Sequence, residues 1–556
     1  MLVEKKDGLY LIEEKNGAKT SKWACSVVRV VARVRHPDLQ SGFGVLLEWN
    51  TMDDKTVRYI CKARHLLTDA FIVAVAEMLD QGLLISTDRS PIRGLQQYLS
   101  RKITSAPAAL VTEITGWHDD VFVSPTWSIG NGKELPSPIH VQQGITASLL
   151  RRGCVEDWQT SIGKLCRGNP MLQFAVGVAL AAPLLRASGI ESGGAHIVGG
   201  SSTGKTTVLR LATSVYSDRT FQRSWAATAN GLAAVASIHN DMMLPLDEIG
   251  MARSEDVDLA TYQICNGISK LRATIEGKFA GNQHWRTLVL SNGEIGIAES
   301  LYNIGRDAKA GQMVRFLEIP CHRRFGAFDE LHGFSSASEF ADHLLQVSSQ
   351  HYGTLFPAWL TAITIDNSVE SNIAARITEI AEAWTQPETG SQVRRSIRRF
   401  ALIATALALA ADRSLVPWTA ADSIKSVKSI FDDWLAHRGH SQDLEHANIF
   451  SRLSSSVRKW QAIARSRNHH GSAAFFHNHG NLELLCVHPE KFKADLGLSK
   501  QFRSELNLLE RHGWLYTNEH RRGTFKVTVD DKSQRMFAID ANKLCIDLQS
   551  MGFYDS

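Results

Sequence analysis

The chain has 556 residues, with 61 Lys and Arg against 57 Asp and Glu and a net charge of +4. A chain of this length is too long to fold around a single hydrophobic core, so we predict two to four domains. The small net charge excludes a surface that binds polyanions everywhere, so any nucleic-acid contact must come from local basic clusters. The eight cysteines include no CxxC pair, which argues against a disulfide framework or a thiolate zinc site and favours a reducing cytoplasm.

Residues 1–150 predict an N-terminal α/β domain, because short β-branched runs precede two amphipathic helices. The predicted elements are strands at 27–34, 44–49 and 56–60, helices at 70–81 and 92–103, and a hairpin at 116–125. The first residues alternate charged and apolar types, unlike a signal peptide. Apolar segments at 171–187 and 400–411 are broken by polar residues or too short to span a bilayer, so we expect buried helices and no membrane partner.

Three further domains follow. Residues 155–335 alternate strand and helix, which predicts a parallel sheet covered by helices. Residues 336–440 are Ala-rich and predict a helical lid. Residues 441–556 contain a predicted helix at 498–515 and a predicted β-hairpin of strands 514–517 and 524–529, the pattern of a winged helix. Arg521 and Arg522 at the hairpin tip are candidates for DNA phosphates, with a solvated turn as the alternative.

A phosphate-binding loop is predicted at 195–209, AHIVGGSSTGKTTVL. A short apolar strand leads into Gly-x-x-x-x-Gly-Lys-Thr and then into a helix, which is the P-loop spacing in its required context. Backbone N–H groups of such a loop wrap phosphates at the positive end of the helix. Lys205 is expected at the β/γ-phosphates of ATP and Thr206 on Mg²⁺. The predicted ATP-binding residues are Gly199, Gly200, Ser201, Ser202, Thr203, Gly204, Lys205, Thr206 and Thr207.

Two further strands are predicted to end in polar residues that complete this site. The strand at 242–246 ends in Asp247, predicted to hold hydrated Mg²⁺, and Glu248, predicted to orient and deprotonate the attacking water. An ordinary strand end is the alternative. The strand at 287–290 leads to Asn292, which is expected to sense the γ-phosphate or the lytic water, although Asn-Gly is also a common turn.

An insertion lies between these two strands. A helix is predicted at 257–273, carrying Lys270 and Arg272, and a hairpin at 274–281. In ring helicases an insertion at this position lines the pore, so Lys278 is the candidate for gripping a nucleic-acid backbone, supported by Lys270 and Arg272. A solvated turn is the alternative.

Arginines beyond the insertion are candidates for contacts with nucleotide. Arg315 lies on a strand predicted at 310–320 and is expected to reach the γ-phosphate of the next subunit as an arginine finger; a salt-bridged strand arginine is the alternative. The segment VRRSIRRF at 393–400 opens a helix on which residues four apart share a face. The candidates for a second sensor arginine there are Arg394, Arg395 and Arg398.

As a set, these motifs resemble a family of bacterial P-loop ATPases filed as a domain of unknown function, over roughly residues 20–335. The markers are GWH at 116–118, GGSSTGKTT at 199–207, LDE at 246–248, NGISKLRA at 266–273, SNGE at 291–294 and GQMVRF at 311–316. Relatives include the self-loading replicative helicases of staphylococcal cassette chromosome elements, which resemble MCM (minichromosome maintenance) helicases. SNGE departs from Ser-Thr-Gly-Glu in many relatives, which leaves the geometry at Asn292 open.

The resemblance implies an α/β fold with an AAA+ P-loop core, a homohexamer with ATP and Mg²⁺ between subunits, DNA in the pore and a C-terminal winged helix. The function expected is an ATP-dependent DNA helicase that replicates a mobile element or prophage, with a replication initiator or primase as partner. A non-translocating switch, such as an initiator, helicase loader or defence ATPase, stays open as the alternative. A small-molecule kinase is disfavoured by the Asp247–Glu248 pair and by Arg315, since a kinase needs neither.

Overall fold

The structure is a computed structural model and has a mixed α/β fold built around a parallel sheet. It describes residues 2–15, 18–35, 42–67, 69–112, 114–135, 139–141, 147–269, 272–273, 279–280, 284–306, 309–365, 369–387, 389–439, 443–466, 473–480, 482–496, 502–516, 524–529 and 532–551.

The described residues of the N-terminal region form three small sheets. Its elements are β1 Leu2–Lys5, β2 Gly8–Lys15, β3 Ala18–Cys25, β4 Arg29–Arg35, β5 Gly44–Asn50, β6 Thr56–Lys62, α1 Phe71–Asp80, α2 Arg89–Ser105, β7 Ala108–Thr112, β8 Gly116–His118, β9 Val121–Val123, β10 Ser128–Gly130, β11 Lys133–Leu135 and β12 Ile139–Val141. The sheet orders are β1-β2-β3, β12-β7-β4-β5-β6 and β11-β10-β9-β8. A hydrophobic cluster joins the first two sheets to α1 and α2. Phe122 and Trp127, however, belong to the large central cluster, so β8–β10 pack with the following region.

The central region carries a five-stranded, fully parallel sheet of order β14-β15-β18-β13-β19. Its elements are α3 Val155–Trp158, α4 Lys164–Cys166, α5 Pro170–Ala181, α6 Leu185–Ser188, β13 Gly193–Val198, α7 Lys205–Ser214, β14 Arg223–Ser224, α8 Ala229–Ile238, β15 Met242–Asp247, α9 Ser254–Asn266, β16 Arg272–Ala273, β17 Phe279–Ala280, β18 Thr287–Gly293, α10 Ile297–Tyr302, α11 Ala310–Met313 and β19 Phe316–Pro320. A π-helical turn, Gln159–Gly163, joins α3 to α4.

Both faces of this sheet are covered, which explains why its strands are continuous apolar runs. Leu288 and Leu290 of β18 point into the larger cluster with α5 and α7, whereas Val289 points to a smaller cluster with α8 and α9. The alternation is the two-residue period of a strand. The segment Pro170–Ser188 has the length and hydropathy of a membrane span, but 83% of its apolar window is buried inside the protein.

The helices α12 Ala337–Gln350, α13 Leu355–Ile363, α14 Val369–Trp384, α15 Ser391–Asp412 and α16 Ala420–Arg438 follow the sheet. Their apolar residues belong to the same cluster as α5 and α7. The hydrophobic interior is therefore continuous across residue 335, where the sequence predicts a boundary between core and lid.

The C-terminal region has its own two hydrophobic clusters. Its elements are α17 Leu444–Ser466, β20 Ala474–His479, β21 Leu482–Val487, α18 Pro489–Leu496, α19 Phe502–Arg511, β22 Leu515–Tyr516, β23 Phe525–Val529, β24 Lys532–Ile539 and α20 Ala541–Ser550. The pairing differs from the predicted hairpin, because β22 and β23 both pair with β24. The long strand β24 replaces the direct pairing expected from the sequence.

Two predicted elements of the central region are corrected by the structure. The helix expected at 257–273 is α9, which ends at Asn266 because Gly267 takes a left-handed φ of +67°. The strand expected at 310–320 begins at Phe316. The preceding residues form the short helix α11, held by buried Gln312, whose Nε2 donates to Asp258 Oδ1 at 2.7 Å.

Candidate functional site

The loop between β13 and α7 has the backbone geometry of an anion-binding nest. Ser202 and Gly204 have φ of +60° and +89°, and Lys205 Nζ donates to the carbonyls of Gly199 and Gly200 at 2.8 and 2.5 Å. Within the described part of the chain, the main-chain N–H groups of residues 200–207 donate to no protein acceptor. Successive N–H groups of this kind at a helix N-terminus favour a bound anion.

A second segment, residues 321–328, is hydrogen-bonded to this loop and packs against it. Cys321 N donates to Val198 O at 2.7 Å and Ala327 N donates to Thr203 O at 2.8 Å. A Cβ on Gly204 would lie 2.8 Å from Cζ of Phe328, so only glycine fits there. The sequence indicates no more than a basic loop at 321–324. Its supporting role comes from main-chain hydrogen bonds, which leave no pattern in the residue types.

Asn292 joins the P-loop helix to the strand that ends in the two carboxylates. Its Oδ1 accepts from Glu248 N at 2.8 Å, and its Nδ2 donates to Thr206 Oγ1 at 3.4 Å. Asn292 is buried, whereas Asp247 and Glu248 are half-buried and Thr206 is exposed. The structure therefore brings Lys205, Thr206, Asp247, Glu248 and Asn292 together at the carboxyl end of the sheet.

Glu248 has an unusual backbone conformation for a residue with a side chain. Its φ is +54°, and its Oε1 accepts from Gly250 N at 3.2 Å. A left-handed non-glycine residue costs about 1–3 kcal/mol and is typical of functional sites. The conformation bends the chain at the end of β15, so that the Glu248 carboxylate faces the first turn after the strand.

The oxygen atoms at this edge fit a magnesium ion. The Thr206 hydroxyl is exposed and the Asp247 carboxylate is half-buried, and Mg²⁺ prefers oxygen ligands with water completing its shell. Among the described residues no group of three or more His, Cys, Asp and Glu side chains forms a metal cluster. A magnesium site formed by the Thr206 hydroxyl, the Asp247 carboxylate and substrate phosphates needs no such cluster.

A buried polar chain behind the site was not predicted. Trp225 Nε1 donates to Ser291 Oγ at 2.7 Å, Ser291 Oγ lies 3.0 Å from His196 Nδ1, and His196 Nε2 lies 2.9 Å from Ile295 O. Burial lowers the pKa of His196 to about 4, so its ring is neutral at pH 7. Because a carbonyl only accepts, Nε2 carries the proton and Nδ1 accepts from Ser291. These hydrogen bonds hold β18 in place at Ser291, the residue before Asn292.

Arg315 lies at the opposite end of the sheet. It precedes β19, its carbonyl accepts from Gly194 N at 2.8 Å, and its Nε donates to Glu191 Oε2 at 2.9 Å. Six-residue β13 separates this point from the P-loop, roughly 17 Å at the usual rise per residue. Arg315 and the P-loop of the same chain are therefore not brought together.

One arginine of α15, Arg399, is anchored at this same amino end. Arg399 donates to the carbonyls of Val314, Glu191 and Ser192, and burial lowers the pKa of its guanidinium to about 10. Arg394, Arg395 and Arg398, the three predicted sensor candidates, are exposed and lie within two turns of Arg399. The structure does not bring them to the P-loop of their own chain.

The predicted DNA contacts fall mostly outside the described residues. Lys270, Lys278, Arg521 and Arg522 lie there, and Arg272 belongs to β16, which pairs antiparallel with β17.

Comparisons with known proteins place the chain in a family. The model of a family described as Domain of unknown function (DUF927) matches residues 3–284, which is more than half of the chain. No curated protein matches the chain. A solved structure titled "SCCmec type IV Cch - active helicase" has a TM-score of 0.65, is 19% identical, and covers 98% of this chain and 98% of its own. At that identity the likeness shows a shared fold alone. By the family match, the chain belongs to the family described as Domain of unknown function, DUF927.

Proposed function

We propose that this protein is an ATP-dependent DNA helicase of the AAA+ kind that replicates a mobile element or prophage. The observation that carries the proposal is Asn292, which bonds both Glu248 N and Thr206 Oγ1. Asn292 links the P-loop, whose main-chain N–H groups donate to no protein acceptor among the described residues, to a pair of carboxylates. Phosphoryl transfer needs both of these parts. The position of β18 between β13 and β15, which sets Asn292 between the two motifs, supports the AAA+ assignment. The helicase title of the similar structure agrees with it.

Each residue of this edge has a proposed task. The N–H groups of residues 200–207 and Lys205 bind the phosphates, and Thr206 and Asp247 hold the metal. Mg²⁺, when bound, neutralises phosphate charge. Glu248 orients and deprotonates the attacking water once its carboxylate leaves Gly250 N, and Asn292 positions the backbone of Glu248 against Thr206.

Arg315 supports a multi-subunit site. Because it lies roughly 17 Å from its own P-loop along β13, we assign it to the nucleotide of another copy. The arginines Arg394, Arg395 and Arg398 are exposed, and we propose that one of them contacts nucleotide as a second sensor. We therefore propose a homohexamer with ATP between subunits. We propose that Lys278, with Lys270 and Arg272, contacts DNA in the pore. Arg521 and Arg522 would contact DNA as part of the wing. A replication initiator or primase is the proposed partner.

A hydrolysis and strand-displacement assay tests this proposal. Wild-type protein is expected to hydrolyse MgATP faster with forked DNA and to displace a strand. Lys205→Ala should lower hydrolysis by at least about a hundredfold, because it removes the cation at the transferred phosphate. Lys164→Ala is the matched control, since Lys164 is exposed and lies on α4. Lys278→Ala should retain basal hydrolysis and lose displacement.

The outcomes separate the open alternatives. DNA-stimulated hydrolysis without displacement identifies a switch, such as an initiator or loader. Absence of MgATP hydrolysis in a folded wild-type protein contradicts the ATPase assignment. Images of particles with a non-hydrolysable ATP analogue and forked DNA should show six-membered rings, and a persistent monomer would contradict the ring.

A further inference from the structure

A buried carboxylate organises the amino end of the central sheet. Asp241 is 0% exposed and has φ of +56°. Its oxygens accept from Arg286 Nε at 2.7 Å, Arg286 Nη2 at 3.1 Å, Trp117 N at 3.0 Å and Asn240 Nδ2 at 2.9 Å. A fully buried charge is tolerated only with such a complete set of donors, and the two-pronged arginine contact fixes its geometry.

These contacts join three segments that are distant in sequence. Asp241 N donates to Arg286 O at 2.6 Å, and Arg286 N donates to Asn240 Oδ1 at 2.9 Å. Gly116 approaches so closely that a Cβ there would lie 2.4 Å from Asn240 Nδ2 and 2.5 Å from Asp241 Oδ2. We name Gly116, Trp117, Asn240, Asp241 and Arg286 the Asp241 node.

The node lies at the near end of two strands whose far ends carry the proposed ATP site. Asp241 directly precedes β15, which ends in Asp247, and Arg286 directly precedes β18, which contains Asn292. The strands are paired in parallel from Met242↔Thr287 onward. A displacement at the carboxyl ends of these two paired strands can therefore be transmitted over about 20 Å to the node.

The node also adjoins the base of the insertion between α9 and β18. Trp285 N donates to Gly267 O at 2.9 Å, and Trp285 Nε1 donates to Ile264 O at 3.2 Å. Ile268 and His284 form an antiparallel bridge. The two ends of the insertion are thus closed against each other, and the next residue, Arg286, belongs to the node.

The node has room to rearrange. The Arg286 side chain is 43% exposed. It lines a cleft of about 470 Å³ together with Trp117, His118 and Arg186. In a variant that opens the node, the side chain at position 286 can therefore move into this cleft without displacing packed core residues.

We propose that the Asp241 node is a positioning element that couples the ATP site to the base of the insertion and to the β8–β9 hairpin. The inference rests on the proposed function, since it deepens how hydrolysis would move DNA-contacting segments. While the node is closed, movement of β15 or β18 is passed to both segments. When it is opened, hydrolysis continues without moving them. The node residues position and do not touch nucleotide.

Two variants open the node in different ways. Gly116→Ala pushes a methyl group into the Asn240 and Asp241 side chains, and Arg286→Lys keeps the charge but loses the two-pronged contact. Gly189→Ala is the matched control, because Gly189 also has a positive φ, +63°, and a Cβ there meets nothing within 4 Å. Both node variants should retain basal ATP hydrolysis within about twofold and lose about tenfold in duplex unwound per ATP. The control should match the wild type.

Hydrogen–deuterium exchange gives a readout that needs no DNA. In the wild type, MgATP should change the exchange of peptides that contain Trp117 and Trp285. In Gly116→Ala the Trp117 peptide should lose this response. If folded node variants unwind as much duplex per ATP and keep the MgATP response, the inference is wrong. It is also wrong if hydrolysis and unwinding fall in equal proportion with the melting temperature, since that marks a purely structural role. A wild type inactive on DNA refutes the proposed function, and exchange then decides on the node alone.

Discussion

The two ends of the central sheet are built on opposite plans. At the carboxyl end, the N–H groups of residues 200–207 donate to no protein acceptor among the described residues, and the Asp247 and Glu248 carboxylates are half-buried. At the amino end, Asp241 and Arg399 are buried and bonded to protein partners on several sides. Polar groups without protein partners are available to a ligand, whereas a buried charge that is bonded on several sides holds segments together.

The difference shows how one sheet serves two tasks. A site that binds and releases ligands needs polar groups without protein partners. Such groups cost little folding free energy only where water can hydrogen-bond to them. A junction between distant segments gains from burial, because a buried charge without its partners is strongly destabilising and therefore enforces one arrangement. Arg315 is the exception at the amino end. Its partner, Glu191, has a side chain that is 65% exposed, so Arg315 can leave this ion pair to contact a ligand.

Replacing Arg315 tests that exception and has the largest expected effect. Arg315→Ala should lower ATP hydrolysis about a thousandfold in an intact oligomer, since a trans-acting arginine stabilises transition-state charge by about this factor. Hydrolysis of MgATP at saturation, with oligomer size measured in parallel, checks it. Glu191→Gln is the control, because it removes only the partner carboxylate and should leave hydrolysis within about twofold.

Mixing experiments decide whether Arg315 acts across the boundary. Lys205→Ala subunits retain Arg315, and Arg315→Ala subunits retain the P-loop. Mixed oligomers should recover a fraction of wild-type hydrolysis, because some sites combine an intact P-loop with an intact arginine. No recovery in demonstrably mixed oligomers would place the arginine in its own subunit's site or make it structural.

The carboxyl end could be predicted from the sequence because its chemistry is contiguous. Residues 199–207 and the pair Asp247–Glu248 need fixed spacing, so the motif is visible without a structure. The parallel sheet followed from the alternation of elements, and the family was recognised from the same motifs. Asn292 is predicted as a sensor from its place after a strand at 287–290, whereas the structure extends that strand, β18, through Gly293. Its two hydrogen bonds could not be predicted, since Asn-Gly is equally typical of a turn.

The site can be dissected by comparing two neighbouring residues of β18. Asn292→Ala should lower hydrolysis about a hundredfold with nucleotide binding retained, because it removes the side chain that positions Glu248 against Thr206. Ser291→Ala removes only the buried contact to His196 and Trp225 and should cost about 1–3 kcal/mol of stability with hydrolysis at saturating ATP unchanged. Equal hydrolysis by the two variants would show that Asn292 has no separate role.

The amino end could not be predicted for physical reasons. Gly116, Asp241 and Arg286 are distant in sequence, and Asp241 takes a left-handed φ that Asp adopts only when other contacts compensate for it. The predicted helix at 257–273 hides the junction, since its pattern continues past Gly267 while the chain turns there. The predicted strand at 310–320 fails similarly, because Gln312 is held by Asp258, a contact outside any local pattern.

Acidification should affect both ends of the sheet by a smaller amount, through one buried histidine at each. Burial lowers the pKa of His196, beside the proposed ATP site, and of His239, two residues before Asp241, from 6.5 to about 4. The folded pKa lies below the unfolded value, so the neutral ring stabilises the fold above pH 6.5 and this contribution is lost as the pH falls toward 4. At pH 5.5 each histidine should cost about 1 kcal/mol. Denaturant unfolding at pH 7.5 and 5.5 measures the loss, and His196→Asn and His239→Asn should each reduce the pH dependence by that amount. If only His239→Asn does so, the His196 chain is open to water, and the carboxyl end is more accessible to solvent than its buried Ser291–Trp225 contact implies.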